Sequence, residues 1–169
     1  SPYGKSKKQA GEILAKAASC CGFSFFNLIL PNIFGPFGKP NYNSFIATFS
    51  DQLIHGETPK IIKDEKVPLI YVESVVYHFL NQIDKEGIYT IEIPQETEKK
   101  VSEVLVQLKE FNNTYIERGS IPELRNLFEI QLFNSFRSAI DESKFFPKQH
   151  MLHVDERGHF SELVRSYSK

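Results

Sequence analysis

Tyr3 and Lys7 are the first residues in the chain whose types and spacing could do chemistry. In a helix, side chains four residues apart project from the same face, so this phenol and this ammonium would lie side by side. A neighbouring ammonium favours the phenolate, and a tyrosine in that position can pass a proton to or from a substrate oxygen. The spacing also arises by chance, and with Lys5 and Lys8 the lysine could equally belong to a solvated helix face. The surrounding sequence must therefore decide between a catalytic and a structural interpretation.

The elements next to this pair follow an α/β pattern. Apolar residues at three- and four-residue spacing predict a helix over Lys5–Ser19, ending near Gly22, a residue free to adopt a positive φ. Phe23–Leu30 is almost continuously apolar, aromatic and β-branched, which predicts a strand covered on both faces in a parallel sheet. Asn32–Asn43 is rich in glycine and proline and predicts a loop that is long enough for a functional role.

The chain alternates helices and strands up to Asp141 and then changes character. The other predicted helices are Ser44–His55, Ser74 (or Glu73) to Gly87, Thr97–Phe111 and Leu124–Ile140, and the other predicted strands are Ile61–Ile62, Leu69–Val72 and Ile88–Ile93. Met151–Val154 and His159–Arg165 flank the turn Asp155–Gly158, a pattern typical of a β-hairpin. We therefore predict two domains: residues 1–143 form an α/β domain, and residues 144–169 begin a separate β domain that the chain does not complete.

Composition and charge limit the classes of partner. Of the 169 residues, 41% are hydrophobic and 24% are charged, and the formal net charge is -1. Such a chain has no long-range field to concentrate nucleic acid or an anionic membrane, and no apolar run approaches the roughly 20 residues that span a bilayer. The two cysteines, Cys20 and Cys21, are adjacent, so they form neither a disulfide framework nor a zinc site of the usual spacing. We expect a cytoplasmic protein with no nucleic-acid and no membrane partner.

Three motifs in a fixed order resemble the extended short-chain dehydrogenase/reductases that act on nucleotide sugars. Tyr3-Gly4-Lys5-Ser6-Lys7 corresponds to the YxxxK helix of that family, Ile29–Pro36 to the segment that ends its next strand, and Tyr71–Val76 to its Tyr-Val-Asp-Asp-Val-Val segment. The likeness covers the whole chain. It is strongest with the two-domain reductases of capsular polysaccharide synthesis, because Pro40–Ser44 resembles their sugar-binding loop and Val154–Glu162 resembles the start of their cupin domain.

The resemblance implies a fold and a reaction. The fold would be the C-terminal half of an NAD(P)-binding Rossmann-type domain, followed by the first β-strands of a cupin-like barrel. The reaction would be the NADPH-dependent reduction of a UDP-4-keto-6-deoxy-N-acetyl sugar on the route to N-acetyl-L-fucosamine. Zinc would be compatible with the cupin part beyond this chain, whereas no metal site is expected within it. A homodimer would also be compatible with the family.

The resemblance also implies roles for individual residues. Tyr3 would give a proton to the C4 carbonyl oxygen of the sugar, and Lys7 would hold the nicotinamide ribose. Leu30 and Pro31 would line the cofactor at the carboxyl end of their strand, where ligands of open α/β sheets bind. The residues implied in substrate binding are Asn32, Lys39 (toward the diphosphate), Asn41, Tyr42, Asn43 and Ser44. For Asn32 and Asn43, turn formation or helix capping is the alternative.

The sequence departs from the family pattern at several points. It contains no glycine-rich dinucleotide fingerprint, Ile29 stands where the family has arginine, and Glu73-Ser74 replaces an acidic pair. We therefore expect a fragment that is inactive alone and whose Phe23–Leu30 strand has an uncovered or unpaired edge. Two alternatives stay open. The parent protein could be an epimerase or a dehydratase, which share the tyrosine–lysine pair, or the chain could be a non-catalytic interaction domain that kept the scaffold.

Overall fold

The computed structural model describes residues 2–147 and 149–166, and it confirms the α/β class. The helices are α1 (Pro2–Cys21), α2 (Phe45–Ile54), α3 (Val72–Leu80), α4 (Val101–Phe111), α5 (Leu127–Arg137) and α6 (Glu142–Phe145), with a π-helical segment at Asn112–Glu117. The strands are β1 (Phe25–Ile29), β2 (Asn32–Phe34), β3 (Lys66–Tyr71), β4 (Ile88–Glu92), β5 (Thr97–Lys100), β6 (Leu152–Asp155) and β7 (Gly158–Ser161). No helix within the described ranges has the length and apolar character that a bilayer crossing requires.

The chain divides into two compact units. The first contains the described residues up to Ile33 together with Pro68–Glu96, and the second contains Phe34–Val67 and the described residues from Thr97 onward. The predicted domain boundary after residue 143 is a different division, and it stays a prediction.

The first unit is built on a parallel strand pair. β1 and β4 run in register from Phe25 opposite Ile88 to Ile29 opposite Glu92, and α1 contacts both strands. Gly22 ends α1 with a φ of 74°, as the sequence predicts. A small core of the unit contains Ile70, Val75 and Ile93, with Leu28, Leu30 and Ile91 packed against it.

β1 has the predicted parallel pairing but not the predicted burial. In the described part of the chain it belongs to a two-stranded sheet with β4, so its other edge carries no strand, as expected. Its side chains are half-buried or exposed, and Ile29 is 50% exposed. The prediction that both faces of this strand are covered is therefore wrong for this structure, because one helix and one neighbouring strand do not enclose it.

The second unit holds a larger core, built by α2, α4 and α5, which contact one another. Leu108, Phe111, Leu132 and Phe136 are completely buried. The ring of Phe111 packs against that of Phe133 with the centroids 5.1 Å apart. The apolar periodicities predicted for these helices thus correspond to real packing faces.

The C-terminal region forms the predicted hairpin. β6 and β7 pair antiparallel, from Leu152 opposite Ser161 to Asp155 opposite Gly158. The turn is stabilised by a hydrogen bond from the Arg157 N–H to the Asp155 carboxylate (2.8 Å). Whether this hairpin opens a cupin-like barrel stays a prediction.

Several predicted elements differ in the structure. The helix predicted to close near Gly87 ends at Leu80. Ile61–Ile62 is not a strand, and Ile62 is fully exposed, because two β-branched residues alone do not form a pleated surface. The predicted loop contains β2, since Phe34 within it is buried at 3% exposure. Thr97–Lys100 is β5 rather than the first turn of a helix. α4 begins only after it. The N–H groups of Lys100 and Ser102 have no acceptor in a preceding helical turn, and they donate hydrogen bonds to Glu103 and Asp64.

Candidate active site

Tyr3 and Lys7 lie on the same face of α1. The Lys7 ammonium lies over the Tyr3 ring, 5.5 Å from its centroid. Tyr3 is 65% exposed. The contact is of the cation–π type and keeps the ammonium next to the phenol. The sequence spacing therefore produces the side-by-side arrangement that acid–base chemistry needs.

The direction of α1 follows from its link to β1. Only Gly22–Ser24 joins the two elements, so the helix must run antiparallel to the strand that it contacts. A Cβ atom on Gly11 would lie 3.2 Å from the Asn27 side-chain nitrogen. Gly11 thus lies opposite the middle of β1, and residues before it lie toward the carboxyl end of that strand.

The rise per residue of a helix and of a strand then gives the position of Tyr3 and Lys7 along β1. Lys7 and Tyr3 precede Gly11 by about 6 Å and about 12 Å along the helix axis. Ile29 and Pro31 follow Asn27 by about 7 Å and about 13 Å along the chain. The phenol and the ammonium therefore lie at the carboxyl end of β1.

An open cleft of about 590 Å³ lies at the same end of the strand pair. It is lined by Ile29, Leu30, Pro31, Pro68, Glu92, Ile93, Pro94 and Gln95. These residues follow or end β1 and β4, and the carboxyl ends of parallel strands are the usual ligand edge of open α/β sheets. The walls are largely apolar, which suits a flat ring or a sugar face.

Leu30 and Pro31, predicted to line a cofactor, both line this cleft. Asn32 lies next to them, and its side-chain amide donates a hydrogen bond to the Pro68 carbonyl (3.2 Å). One N–H of Asn32 is therefore used within the unit, while an asparagine side chain offers a second N–H and two acceptor sites besides.

The remaining predicted residues belong to the second unit. Asn41 and Asn43 adopt left-handed backbone conformations with φ of 56° and 51°, which asparagine tolerates better than most residues. The Asn41 N–H donates to the Thr48 hydroxyl (2.9 Å). The Lys39 ammonium lies 5.8 Å from the centroid of the exposed Tyr42 ring. The loop thus presents a cation and an aromatic ring on an ordered backbone.

Ser44 caps a helix. Its hydroxyl accepts a hydrogen bond from the Ala47 N–H (3.3 Å) at the start of α2. The capping role that the sequence offers as an alternative for Asn43 is thus performed by the next residue, and Asn43 contributes a turn conformation instead. Neither observation tests a substrate contact, which stays a prediction for both residues.

The sequence interpretation missed Glu96, whose carboxylate lies at the start of α3. It accepts hydrogen bonds from the Tyr71 N–H (2.8 Å) and from the Ser74 hydroxyl. Its partners are 25 and 22 positions away, so no local periodicity reveals them. The one available signal is Glu73-Ser74, where the family pattern has two acids and this chain has a serine that needs an external acceptor.

Comparison with known proteins agrees with this geometry. Residues 1–91 match the model of the NAD dependent epimerase/dehydratase family. The UDP-2-acetamido-2,6-beta-L-arabino-hexul-4-ose reductase of Pseudomonas aeruginosa is 30% identical over 169 positions, covering 97% of this chain and 44% of that protein. The chain therefore spans less than half the length of this relative.

Solved structures give the fold. The capsular polysaccharide assembling protein CapF from Staphylococcus aureus is 29% identical, with a TM-score of 0.80 over 98% of this chain and 46% of that one. The UDP-glucose 4-epimerase of Thermotoga maritima is 20% identical, with a TM-score of 0.67. The match covers 82% of this chain and 53% of the epimerase chain. The predicted Rossmann-type relationship is thus confirmed, whereas the cupin-like continuation is still a prediction.

Proposed function

The chain belongs to the NAD dependent epimerase/dehydratase family, and on this premise we propose that it is part of an NADPH-dependent nucleotide-sugar reductase. Its substrate would be a UDP-4-keto-6-deoxy-N-acetyl sugar, as used in capsular polysaccharide or O-antigen synthesis. Similarity to a UDP-hexulose reductase over 97% of the chain supports this class of substrate. The chain would be a fragment of the full enzyme, since it spans 44% of that relative.

The observation that carries the proposal is the Lys7–Tyr3 contact, and the level inferred for this pair near the carboxyl end of β1 supports it. Reduction of a ketone needs a proton at the oxygen as the carbon becomes tetrahedral. The Tyr3 hydroxyl would donate that proton, and the adjacent ammonium would stabilise the phenolate left behind. The exposed position of Tyr3 is compatible with an approach of the sugar carbonyl to this residue.

The residues around the cleft fit the nicotinamide end of a dinucleotide. Leu30, Pro31 and Ile93 offer apolar walls for a flat ring, and Lys7 would hold the adjoining ribose. When bound, the reduced nicotinamide supplies a hydride to the carbonyl carbon. The chain has no glycine-rich turn for the diphosphate, so we expect the dinucleotide to bind only when a nucleotide-binding half is added.

The test combines binding and turnover. We expect the chain alone to bind UDP-N-acetylglucosamine in calorimetry and to oxidise no NADPH in the presence of a UDP-4-keto sugar. Mixed with the nucleotide-binding half of the Pseudomonas relative, it should turn over, and Tyr3→Phe should lower kcat by at least about 10²-fold. Tyr3→Phe keeps the ring beneath Lys7, so sugar binding should be unchanged.

Tyr77→Phe is the matched control, because Tyr77 is 64% exposed against 65% for Tyr3 but lies on α3, outside the proposed site. It should leave kcat unchanged. Turnover by the chain alone would contradict the fragment proposal, and full activity of Tyr3→Phe would contradict the catalytic one.

The family model itself favours an epimerase or dehydratase as the second candidate. Product analysis of the completed protein separates these activities. A C4 alcohol formed together with oxidised cofactor indicates a reductase, whereas an epimer or a dehydrated sugar without net cofactor oxidation indicates the alternative. Absence of any sugar or cofactor binding would instead favour a non-catalytic interaction domain.

A further inference from the structure

Glu96 connects the segment after β4 to the start of α3. Its carboxylate accepts hydrogen bonds from the Tyr71 N–H (2.8 Å) and the Ser74 hydroxyl, and its own N–H donates to the Leu69 carbonyl (3.0 Å). Tyr71 is the N-cap of α3 but has no side-chain capping bond. Glu96 therefore supplies the acceptor that this helix start lacks, and its negative charge is favourable at a helix N-terminus.

The same segment forms one wall of the cleft. Glu92–Gln95 lines it, facing Leu30 and Pro31. The wall is held at one end by the hydrogen bond from the Ile93 N–H to the Ile29 carbonyl (2.9 Å). Pro94 has no N–H to donate. The three bonds of Glu96 hold the other end.

We propose that Glu96 is a positioning residue that fixes the Glu92–Gln95 wall of the cleft against the start of α3. The nucleotide-sugar ligand in this inference rests on the proposed function. The claim that Glu96 fixes the wall does not. Without the carboxylate, the second end of the wall would keep only the bond from the Glu96 N–H to the Leu69 carbonyl, and its distance from Leu30 and Pro31 would vary. A loss of about 1 Å in the positioning of a site can cost roughly 10²-fold in rate.

A matched control exists in the second unit. The Asp64 carboxylate accepts hydrogen bonds from the Ser102 N–H and the Ser102 hydroxyl, both at 2.9 Å, at the start of α4. It therefore caps a helix from a distant part of the chain, as Glu96 does, but it is not one of the residues that line the cleft. Asp64→Ala should lower global stability without loosening the cleft wall.

The experiment is amide hydrogen exchange on the full chain, with no ligand. In Glu96→Ala, the Tyr71 amide loses its acceptor, and the amides of Tyr71 and residue 96 should exchange at least about tenfold faster than in the wild type. The Ile93 amide lies at the end that stays anchored and should change less. Asp64→Ala should leave these amides unchanged, and Glu96→Gln, which keeps an acceptor oxygen, should restore part of the protection. Unchanged exchange in Glu96→Ala, or equal acceleration in both alanine variants, would overturn the proposal. If Glu96→Ala does not fold, Ser74→Ala, which removes one of the three bonds, gives the same readout.

Calorimetry with UDP-N-acetylglucosamine adds the functional arm. Glu96→Ala should weaken binding roughly tenfold, and Asp64→Ala should not. Binding that is equal in Glu96→Ala and the wild type contradicts a role in the site. A wild-type chain that binds no sugar nucleotide contradicts the proposed function instead, and the exchange data still decide whether Glu96 holds the wall.

Discussion

At the scale of single residues, the Ser44 hydroxyl has a role in the fold that is independent of any ligand. Ser44 caps α2 through the Ala47 N–H. We expect Ser44→Ala to lower the free energy of unfolding by about 1 kcal/mol, because an N–H of the first turn loses its acceptor. Ser44→Asp keeps an acceptor and should cost little. Urea denaturation measures both, and an Ala variant as stable as the wild type would refute the cap.

The same two variants separate capping from substrate contact. If the Ser44 hydroxyl also binds the nucleotide sugar, Ser44→Asp should keep stability but weaken sugar binding, because a carboxylate would face the diphosphate. If Ser44 only caps the helix, Ser44→Asp should bind as the wild type does.

Residue-level features were predictable from the sequence where they depend on neighbours along the chain. The Tyr3–Lys7 contact follows from helical spacing, and the positive φ of Gly22 follows from its position after a helix. Glu96 was not predictable, because its role depends on a fold that brings residues 22 and 25 positions away to its carboxylate. The level of Tyr3 relative to the strands likewise required the Gly11–Asn27 contact.

At the scale of elements, the start of α4 shows how hydrogen-bond acceptors, rather than apolar periodicity, set a helix boundary. The periodic pattern of α4 extends backward into β5, but the helix begins at Val101, where Asp64 and Glu103 supply acceptors. Hydrogen bonds from the Ser102 N–H and hydroxyl hold the pKa of Asp64 below its usual value of 3.8. A carboxyl whose pKa is depressed by folding stabilises the folded state only while it is ionised.

This gives a pH-dependent prediction for α4. Above pH 3.8, the unfolded chain's ordinary value, the full contribution of Asp64 should be present, and it should be lost as the pH falls through the lower pKa of the folded state. The difference in unfolding free energy between the wild type and Asp64→Ala should therefore be constant near neutrality and shrink in acid. Denaturation series at several pH values measure it. A difference that grows on acidification would show that the carboxylate does not cap α4 in solution.

At the scale of the whole molecule, burial is distributed unequally between the two units. The completely buried aromatic and leucine side chains of α4 and α5 belong to the second unit. In the first, β1 is paired on one edge only, Ile29 at its end is 50% exposed, and Phe23, two residues before its start, is 46% exposed. The sequence pattern of β1 is that of a strand enclosed by neighbours, which the described residues do not supply. This is why its predicted burial was wrong although its predicted place in a parallel sheet was correct.

The unequal burial of apolar side chains predicts that the two units open locally, and exchange their amide hydrogens, at different rates. Local stability follows buried apolar contacts, so amides of α4 and α5 should be the slowest to exchange, and those of β1 should exchange earlier despite their bonds to β4. Adding the nucleotide-binding half of the Pseudomonas relative should slow exchange in β1 selectively, because a further parallel strand would cover the free edge. The helices of the second unit serve as the internal reference, since their core is already closed. If β1 is as protected as α4 in the chain alone, or if the added half leaves its exchange unchanged, the free edge is not a docking position for a further strand.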